Sequence, residues 1–398
     1  MTMQPLKIGI DGRCLEGNRT GTGRYLENLL RYFGKNPDFV FFLYFKHEIP
    51  GDAYFQENSY KLRRLGSPLG FESNAWFTHV SLPRALKQDG VDLLFAPSYI
   101  APWSCPVPVV LTLHDISYEV HPEWTPMFGH FLLGSVSKHA AKKAARILTI
   151  SQFSKKEIVR LYGIPEERIT VTLLAPNAEF NQPISPEEEA DILKKFGVGS
   201  DFLLSVGNLI NRRYPLETLD AFAACAKKIK GLEFVLVGPD RTHPPLNIAR
   251  RIKEVNKSLG RNAVLHIISV SDKELAVLYR KAKALVWLSA YEGFGLPPLE
   301  AMSCGTPVIT SNTSSLPEVA GDAAIRISDP AGAISSTSGV FLPAGPTVGS
   351  ITDAIARVLT DQALREWFIK KGKERAQKFS WETAANQTLA IFKEILKK

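Results

Sequence analysis

Hydrophobic and polar residues follow two alternating patterns along the chain. Short apolar runs rich in Val, Ile and Leu are separated by longer segments in which apolar residues recur at helical spacing. Parallel sheets with helical crossovers show this pattern, because helices cover both faces of their strands. The pattern therefore predicts an α/β protein.

The first half of the chain is predicted to contain six strands and four helices. The strands are Lys7–Ile10, Val40–Tyr44, Asp92–Ala96, Val109–Leu113, Arg146–Ile150 and Ile169–Leu173. The helices are Tyr25–Phe33, Trp76–Leu86, Phe131–Ala145 and Ser154–Leu161. Strands and helices alternate, which favours a doubly wound sheet.

The same alternation starts again after residue 201. The predicted strands are Phe202–Val206, Glu233–Val237, Val264–Ile267, Ala284–Leu288, Val308–Thr310 and Ala324–Ile327. The predicted helices are Leu216–Ile229, Pro244–Leu259, Asp272–Lys281 and Pro298–Ser303. A stretch rich in Pro and acidic residues before residue 201 is typical of a linker followed by a short helix, which places a domain boundary near Gln182.

We therefore predict two domains, residues 1–182 and 183–380, each a doubly wound, Rossmann-like sheet. Two such domains are expected to face each other across a cleft, with ligands beyond the carboxyl ends of the strands. The chain length of 398 residues agrees with two domains.

Composition narrows the class of protein. The sequence has 45% hydrophobic and 22% charged residues, a composition that excludes disordered and fibrous proteins. No apolar run approaches the roughly 18 to 20 residues of a membrane-spanning helix. The N-terminus lacks a secretory signal pattern, so a cytoplasmic location is expected. Four widely spaced cysteines indicate neither a disulfide framework nor a zinc site.

The net charge of +8 leaves three classes of partner open: nucleic acid, an anionic membrane surface or an anionic small molecule. The basic residues are scattered, and no zinc-finger or RNP-type motif is present, which argues against nucleic acid. Composition does not distinguish between the two remaining partners, an anionic membrane surface and an anionic small molecule.

Three motifs at predicted strand ends carry candidate ligand-binding groups. Gly21 and Gly23 stand before a predicted helix, where glycines allow backbone amides to approach an anion, although a plain turn explains them equally well. His114 ends an apolar strand, and Arg212 and Arg213 follow the first strand of the second half. Two fixed guanidinium groups at a strand end suit a diphosphate, and an exposed basic loop is the alternative.

A fourth motif, "SAYEGFGLPPLEAMSCGTPVI", places two acids around a glycine- and proline-rich turn. Glu292 precedes Gly293 and Gly295, and Glu300 lies in the helix that Pro297 and Pro298 open. The turn and the first helical turn present backbone amides with partial positive charge, which suits an anionic or hydroxyl-rich ligand.

These motifs, taken together and in order, resemble retaining glycosyltransferase family 4, which has the GT-B fold. The resemblance covers most of the chain: "GTGRYLENLL", "LTLHDISYEVHPEW", "ILTISQFSKKEI", "SVGNLINRR", "YEGFGLPPLEAM" and "SSLPEVAGDAA" all occur at the family's positions. The segment "HDISYEVHPEW" is most similar to GDP-mannose-dependent members. The chain departs from the family at Arg213 and Tyr214, where the family usually has Lys and Asn, at Ile268, where a glycine is common, and at Ala178, where Asn-Gly is common. The base contacts are therefore the least defined part of the site.

The resemblance implies transfer of a hexose, with retention of configuration, from a nucleotide sugar to a glycan or lipid-linked acceptor in surface polysaccharide synthesis. It also implies that no metal ion and no further cofactor is required, and that a C-terminal helix at residues 381–396 crosses back onto the first domain. The implied site residues are Gly21, Gly23, Arg212 and Arg213 for the donor phosphates; Glu292, Gly293, Phe294, Gly295 and Leu296 for the donor sugar; Glu300 for the ribose; Val270 for the base; and His114 with Glu292 at the reacting centre.

Several alternatives stay open on sequence alone. The donor is mannose on GDP or, alternatively, a UDP-linked glucosyl or N-acetylhexosaminyl group, and the same fold supports a nucleotide-sugar epimerase. A glycoside hydrolase would use Glu292 and Glu300 as its two carboxylates, and a binding or scaffold protein would hold the donor without turnover. The basic segment "GSVSKHAAKKAARI" is either a solvated helix face or a peripheral contact with an anionic membrane.

Overall fold

The structure is a computed structural model that describes residues 4–17, 19, 21–56, 59–66, 73–124, 127–328 and 346–397, with backbone alone for 127–132. It forms two compact units, which we call unit 1 (Met1–Leu174 with Ser380–Lys398) and unit 2 (Ala175–Phe379). Among the described residues, each unit contains one sheet of parallel strands, with seven strands in the first and six in the second. The predicted α/β class with two Rossmann-like sheets is confirmed.

Unit 1 has the sheet order β3-β2-β1-β4-β5-β6-β7. Its strands are β1 (Leu6–Asp11), β2 (Phe39–Phe45), β3 (Tyr60–Arg64), β4 (Leu93–Ala96), β5 (Val109–Thr112), β6 (Arg146–Thr149) and β7 (Ile169–Val171). Its helices up to residue 174 are α1 (Gly21–Phe33), α2 (Asn74–Trp76), α3 (Leu82–Asp89), α4 (Ser117–Val120), α5 (Met127–Lys143) and α6 (Gln152–Tyr162). A π-helical turn, Phe77–Ser81, joins α2 to α3.

The central strands of unit 1 are completely buried, as their apolar runs predict. Strand β3 was not predicted, because it lies at the edge of the sheet and only Tyr60 of its five residues is buried. Edge strands are often polar, which keeps them from pairing with other chains.

Unit 2 has the sheet order β10-β9-β8-β11-β12-β13. Its strands are β8 (Phe202–Val206), β9 (Glu233–Val237), β10 (Val264–Ile267), β11 (Ala284–Trp287), β12 (Val308–Ser311) and β13 (Ile325–Ile327). Its helices are α7 (Pro186–Phe196), α8 (Pro215–Ala226), α9 (Ile248–Leu259), α10 (Asp272–Lys281), α11 (Leu296–Ser303), α12 (Leu316–Ala320), α13 (Val348–Thr360) and α14 (Gln362–Ala376).

Each sheet has one topological switch point, where the strand order reverses. In unit 1 it lies between β1 and β4, and in unit 2 it lies between β8 and β11. Doubly wound sheets bind ligands beyond the carboxyl ends of the strands at this point. The loops after β1, β4, β8 and β11 are therefore the first places to look for a functional site.

The last helix, α15 (Trp381–Leu396), belongs to unit 1, where it packs against α1. The ring of Phe392 lies 5.4 Å from that of Phe95 and 6.0 Å from that of Phe33, so α15 completes the aromatic core of unit 1. The boundary after Leu174 lies eight residues before the division at Gln182 that we drew from the sequence. The intervening segment packs on unit 2, where Arg280 donates to the carbonyl oxygen of Phe180.

Candidate functional site

The loop after β8 is shaped by two close backbone approaches. Gly207 has a φ of +106°, and a Cβ atom there would lie 2.5 Å from Nη1 of Arg213. Gly238, at the end of β9, has a φ of +130°, and a Cβ atom there would collide with the carbonyl group of Gly207. Glycine is required at both positions, so the strand ends of β8 and β9 form a tight base for the loop that carries the arginines.

Arg213 is held in place by three contacts. Its Nε donates to Oε1 of Glu292 at 3.1 Å, its Nη1 donates to the carbonyl oxygen of Asn208 at 3.1 Å, and its guanidinium lies 4.7 Å from the ring centroid of Trp287. Trp287 is the last residue of β11, so β8 and β11 both contribute to this position. The guanidinium is thereby fixed at the switch point of unit 2.

Arg212 joins the same cluster. Its Nη2 lies 3.8 Å from Oε2 of Glu292, and its carbonyl oxygen accepts a hydrogen bond from the backbone N–H of Ala290. Two guanidinium groups against one carboxylate leave one excess positive charge in this cluster. The structure thus brings together Arg212, Arg213 and Glu292, which the sequence predicted as site residues in two separate motifs.

Glu292 is 8% exposed, and its ionisation is set by its neighbours. Burial alone raises the pKa of its carboxyl group. The attraction of Arg213 and then of Arg212, together with the hydrogen bond from Arg213, outweighs burial and lowers the pKa below the ordinary value. Glu292 is therefore ionised at neutral pH. A carboxylate held by two guanidinium groups is a hydrogen-bond acceptor and a poor proton donor.

The loop between β11 and α11 is held by two serines, Ser314 and Ser315, which follow β12. The N–H of Glu292 donates to Oγ of Ser314, and Oγ of Ser315 donates to the carbonyl oxygens of Glu292 and Phe294 at 2.8 and 2.7 Å. Gly295 has a φ of +108° and precedes Leu296, where α11 begins. The predicted sugar-binding segment is thus a fixed turn that leads into a helix.

Glu300 lies within α11 and is 3% exposed. Its Oε2 accepts a hydrogen bond of 3.0 Å from the hydroxyl group of Tyr279, which is itself buried in α10. Tyr279 could not be identified from the sequence, because only the folded chain brings α10 against α11. The hydrogen bond fixes the rotamer of Glu300.

Val270 follows β10 and is half-buried. The next residue, Ser271, caps α10 through a reciprocal pair of hydrogen bonds with Glu274, which fixes the backbone at this strand end. Its neighbour Ile268, at 59% exposed, is one of the few large apolar side chains that stand in solvent among the described residues. The base-binding role of Val270 stays a prediction.

His114, in unit 1, follows β5 and is buried. Its Nε2 donates to the carbonyl oxygen of Pro97 at 2.9 Å, and its ring meets that of Tyr25 edge-on at 4.9 Å. Burial lowers the pKa of His114 below the ordinary value, against weaker opposing effects of Pro97 and Asp115. The imidazole is therefore neutral at pH 7 and carries its proton on Nε2.

The two glycines of the N-terminal motif occupy the first turn of α1, rather than a loop before the helix as predicted. A Cβ atom at Gly23 would collide with the carbonyl oxygen of Cys14, so packing within unit 1 is enough to require glycine there. A Cβ atom at Gly21 would meet nothing within 4 Å. Their assignment to the donor phosphates stays a prediction.

In the part of the chain that the structure describes, no group of three or more His, Cys, Asp or Glu side chains could hold a metal ion. None of its helices has both the length and the apolar composition needed to cross a membrane.

Comparison with known proteins places this geometry in a family. The family model described as "Glycosyl transferases group 1" matches residues 188–375, and that described as "Glycosyltransferase Family 4" matches residues 19–173. The Escherichia coli "O-antigen chain mannosyltransferase B" is 32% identical over 285 residues, which are 71% of this chain and 70% of that protein. The E. coli "Serotype-specific mannosyltransferase WbdA" is 26% identical over 307 residues, 75% of this chain, which spans only 34% of that larger protein.

A solved structure shows the same architecture. Anabaena HepE, crystallised with UDP and glucose, superposes with a TM-score of 0.72 at 17% identity, covering 98% of this chain and all of that chain. At this identity the similarity shows the GT-B fold alone. The fold, the matched family models and the 32% identical relative agree, and the chain therefore belongs to glycosyltransferase family 4.

Proposed function

We propose that this chain transfers a mannosyl residue from GDP-mannose to a glycan or lipid-linked saccharide in the synthesis of a surface polysaccharide such as O antigen. The reaction retains the anomeric configuration and requires no metal ion. The observation that carries the proposal is the cluster of Arg212, Arg213 and Glu292 at the switch point of unit 2.

The two arginines suit the leaving group of such a reaction. When a nucleotide sugar reacts, negative charge grows on the diphosphate, and fixed positive groups stabilise that charge in the transition state. Guanidinium groups bind phosphate oxygens bidentately and keep their charge at every physiological pH. Arg213 is preorganised by Glu292, Asn208 and Trp287, so little side-chain freedom is lost when the diphosphate binds.

Glu292 suits the donor sugar, because its ionised oxygens accept hydrogen bonds from hydroxyl groups. The same ionisation argues against Glu292 as the general acid of a glycoside hydrolase. In that mechanism one carboxylic acid needs a raised pKa to protonate the leaving group, whereas the arginines lower the pKa of Glu292.

Glu300 suits the ribose of the donor nucleotide. Its carboxylate is buried and held by Tyr279, and an ionised carboxylate accepts hydrogen bonds from neighbouring hydroxyl groups such as the two of a ribose. A buried acceptor of this kind discriminates strongly against a ligand that lacks the matching hydroxyl group.

The names of the relatives support mannose as the transferred sugar, since two E. coli homologues are described as mannosyltransferases. The HepE complex with UDP and glucose makes a UDP sugar the donor to test beside GDP-mannose. A donor screen separates the two. We expect GDP-mannose to raise the melting temperature most, since a ligand stabilises a protein by RT ln(1 + [L]/Kd), and to release GDP in the presence of acceptor.

The screen compares GDP-mannose, GDP, UDP-glucose and UDP-N-acetylglucosamine, with nucleotide release measured on a crude lipid-linked acceptor fraction. Preferential stabilisation by UDP-glucose would replace the donor but keep the family activity. Tight binding without release from any donor would support a binding protein, and it would contradict the enzyme proposal.

Three variants test the residue roles. We expect Glu300→Gln to weaken GDP binding, and Glu292→Gln and His114→Ala to lower kcat with a smaller change in GDP affinity. Loss of GDP binding in Glu292→Gln with full binding in Glu300→Gln would reverse the two assignments.

A further inference from the structure

Unit 2 contains a cavity of about 670 Å³ at the edge of its sheet opposite to the donor groups. The wall of the cavity comes from segment 176–183, from the last turns of α10 and α11, and from the end of α14. In a parallel sheet, a crossover helix leads from the carboxyl end of one strand back to the amino end of the next. Because α10 and α11 end at this cavity, we call it the amino-edge cavity. None of the donor groups assigned above lines it.

The amino-edge cavity has an excess of positive charge. Arg280 and Lys373 are the two cations among its described lining residues, and no acidic residue is found among them. Glu189 lies 4.0 Å from Nη1 of Arg280, but it also pairs with Nζ of Lys281 at 2.7 Å. The charge of Arg280 is therefore not cancelled, and the cavity favours an anionic ligand.

Arg280 is fixed at the wall of the cavity. Its side chain is 19% exposed, and its Nη2 donates to the carbonyl oxygen of Phe180 at 2.9 Å and also to that of Gln182. A guanidinium group that is held in this way loses little freedom when it binds a phosphate. Arg280 is thus the preorganised cation of the cavity.

Lys373, on α14, is the second cation. Its side chain lies across Gly305, where an added Cβ atom would come within 2.7 Å of its Cε. Within the described part of the chain, its ammonium group has no hydrogen bond and no ion pair. The carbonyl oxygens of Met302 and Lys373, near the ends of α11 and α14, accept from the backbone N–H groups of Gly305 and Gln377. The ammonium group is therefore not needed to cap these helices, and it can bind a ligand.

The rest of the wall is suited to hydroxyl groups. Asn181, Gln182 and Gln377 contribute carboxamides, each of which can donate and accept hydrogen bonds, as a hydroxyl group does. Ser303 donates to the carbonyl oxygen of Glu300 at 2.7 Å, so its own oxygen can accept. The volume of the cavity is in the range of small-molecule sites and exceeds what a phosphate group alone would fill.

We propose that the amino-edge cavity binds a hexose phosphate, with its phosphate group on Arg280 and Lys373 and its hydroxyl groups against the carboxamides of Asn181, Gln182 and Gln377. The inference goes beyond the proposed function, since this ligand lies at the opposite edge of the sheet from the groups assigned to the donor. The amino-edge cavity is thus a second, separate ligand site of unit 2.

Isothermal titration calorimetry of the full chain tests the proposal with four ligands: mannose 6-phosphate, glucose 6-phosphate, mannose and inorganic phosphate. We expect both hexose phosphates to bind in a saturable way. Mannose and inorganic phosphate are expected to bind roughly tenfold more weakly or worse, because each lacks one of the two sets of contacts.

Two variants of α14 locate the binding site. Lys373→Gln is expected to weaken the binding of mannose 6-phosphate about tenfold, since it removes one charge-assisted contact. The matched control is Lys370→Gln, on the same helix and also exposed but outside the cavity wall, and it is expected to leave the affinity unchanged. Because both side chains are exposed, both variants are expected to melt at the temperature of the wild type.

Arg213→Gln separates this site from the donor groups, and it is expected to keep the affinity for mannose 6-phosphate. Lost binding in Arg213→Gln with full binding in Lys373→Gln would place the phosphate at the donor groups and overturn the proposal. Equal affinity for mannose and mannose 6-phosphate would contradict an anionic ligand, and equal affinity for inorganic phosphate would contradict the role of the carboxamides. If neither hexose phosphate binds at millimolar concentration, the proposal is wrong. These titrations contain no nucleotide and no acceptor, so each outcome is independent of whether the chain transfers mannose.

Discussion

Glu292→Gln removes one negative charge from the centre of the unit 2 site while keeping the size and shape of the side chain. In the wild type, Glu292 lies 3.1 Å from Nε of Arg213 and 3.8 Å from Nη2 of Arg212. The amide replaces both ionic contacts with neutral ones and leaves two guanidinium groups without the carboxylate that they share. The variant is therefore expected to lose stability.

The expected loss follows from burial. Removing one partner of a fully buried ion pair costs about 3–5 kcal/mol. The side chains of Arg212 and Arg213 are 19% and 20% exposed, and water screens part of the unpaired charge, so the cost falls to about 1–3 kcal/mol. For a unit of this size, about 2–4 °C per kcal/mol gives a lower melting temperature by roughly 2–12 °C.

The loss depends on pH in a defined direction. The pKa of Glu292 lies below its ordinary value of 4.5, because Arg213 and Arg212 outweigh the opposing effect of burial. The unfolded chain therefore binds the proton more readily than the folded chain, so the carboxylate stabilises the fold above pH 4.5 and loses this effect as the pH falls further. The gap in melting temperature between wild type and Glu292→Gln is expected to narrow below that pH.

Differential scanning calorimetry measures the gap, and the chain offers a matched control. Glu254 on α9 also contacts two arginines, Arg250 and Arg251, but the side chain of Glu254 is 43% exposed, against 10% for that of Glu292. Glu254→Gln is therefore expected to change the melting temperature little. An equal loss in both variants, or a gap for Glu292→Gln that persists in acid, would refute the electrostatic reasoning.

Three further predictions follow from individual contacts. In calorimetric titrations, Tyr279→Phe should weaken GDP binding up to about tenfold but leave the binding of 2′,3′-dideoxy-GDP unchanged, because that nucleotide lacks the hydroxyl groups that Glu300 would bind. An equal loss of affinity for both nucleotides would contradict the role of Tyr279 in positioning Glu300 towards the ribose. Gly207→Ala should destabilise by about 1–3 kcal/mol in urea unfolding and weaken GDP binding, whereas Gly231→Ala, where a Cβ atom meets nothing within 4 Å, should cost less and leave GDP binding intact. If α5 contacts an anionic membrane, the protein should sediment with phosphatidylglycerol vesicles, and replacing the exposed Lys142 and Lys143 with Gln should abolish this sedimentation. Sedimentation that the replacement leaves unchanged would favour a solvated helix face.

Lys138 needs separate treatment in any membrane test. It is half-buried, its Nζ donates to the carbonyl oxygen of Leu161, and it lies 5.4 Å from the ring centroid of Tyr162. Its replacement would disturb packing between α5 and α6 as well as surface charge. Lys142 and Lys143 are both exposed, and Lys142 is the cleaner single choice, because Nζ of Lys143 also donates to the carbonyl oxygen of Trp103 at 3.4 Å.

The buried strands could be predicted from the sequence because helices cover both faces, which requires continuous apolar runs such as those of β4 and β5. Strand β3 could not be predicted in the same way, since its polar residues reflect an edge position that only the sheet order reveals. Helix α13 was missed although Ile351, Ile355 and Val358 recur at helical spacing and are buried, so the signal was present in the sequence.

Some residues of the candidate site could also be predicted from the sequence, and others could not. Arg212, Arg213 and Glu292 were predicted because each motif stands at a predicted strand end, and the fold brings these ends to one switch point. The contact of Tyr279 with Glu300 and that of Arg280 with Phe180 could not be predicted, because each contact joins residues more than twenty positions apart that no local pattern connects.

Gly23 shows a further limit of sequence reasoning. Its glycine indicated a close approach of another group, and we assigned that approach to a phosphate. In the structure the carbonyl oxygen of Cys14 makes such an approach, so packing alone accounts for the glycine, and the assignment to a phosphate stays a prediction. A glycine shows that space is needed, but it does not show what fills that space.

The central claim is that this member of glycosyltransferase family 4 moves mannose from GDP to a saccharide. Proton NMR of a reaction with GDP-mannose and mannobiose tests the claim most directly, because it resolves the donor, the product and the new anomeric linkage together. We expect GDP and an α-linked mannotriose to accumulate at the same rate. Free mannose without trisaccharide, an altered sugar still attached to GDP, or consumption of UDP-glucose with GDP-mannose left untouched would contradict it.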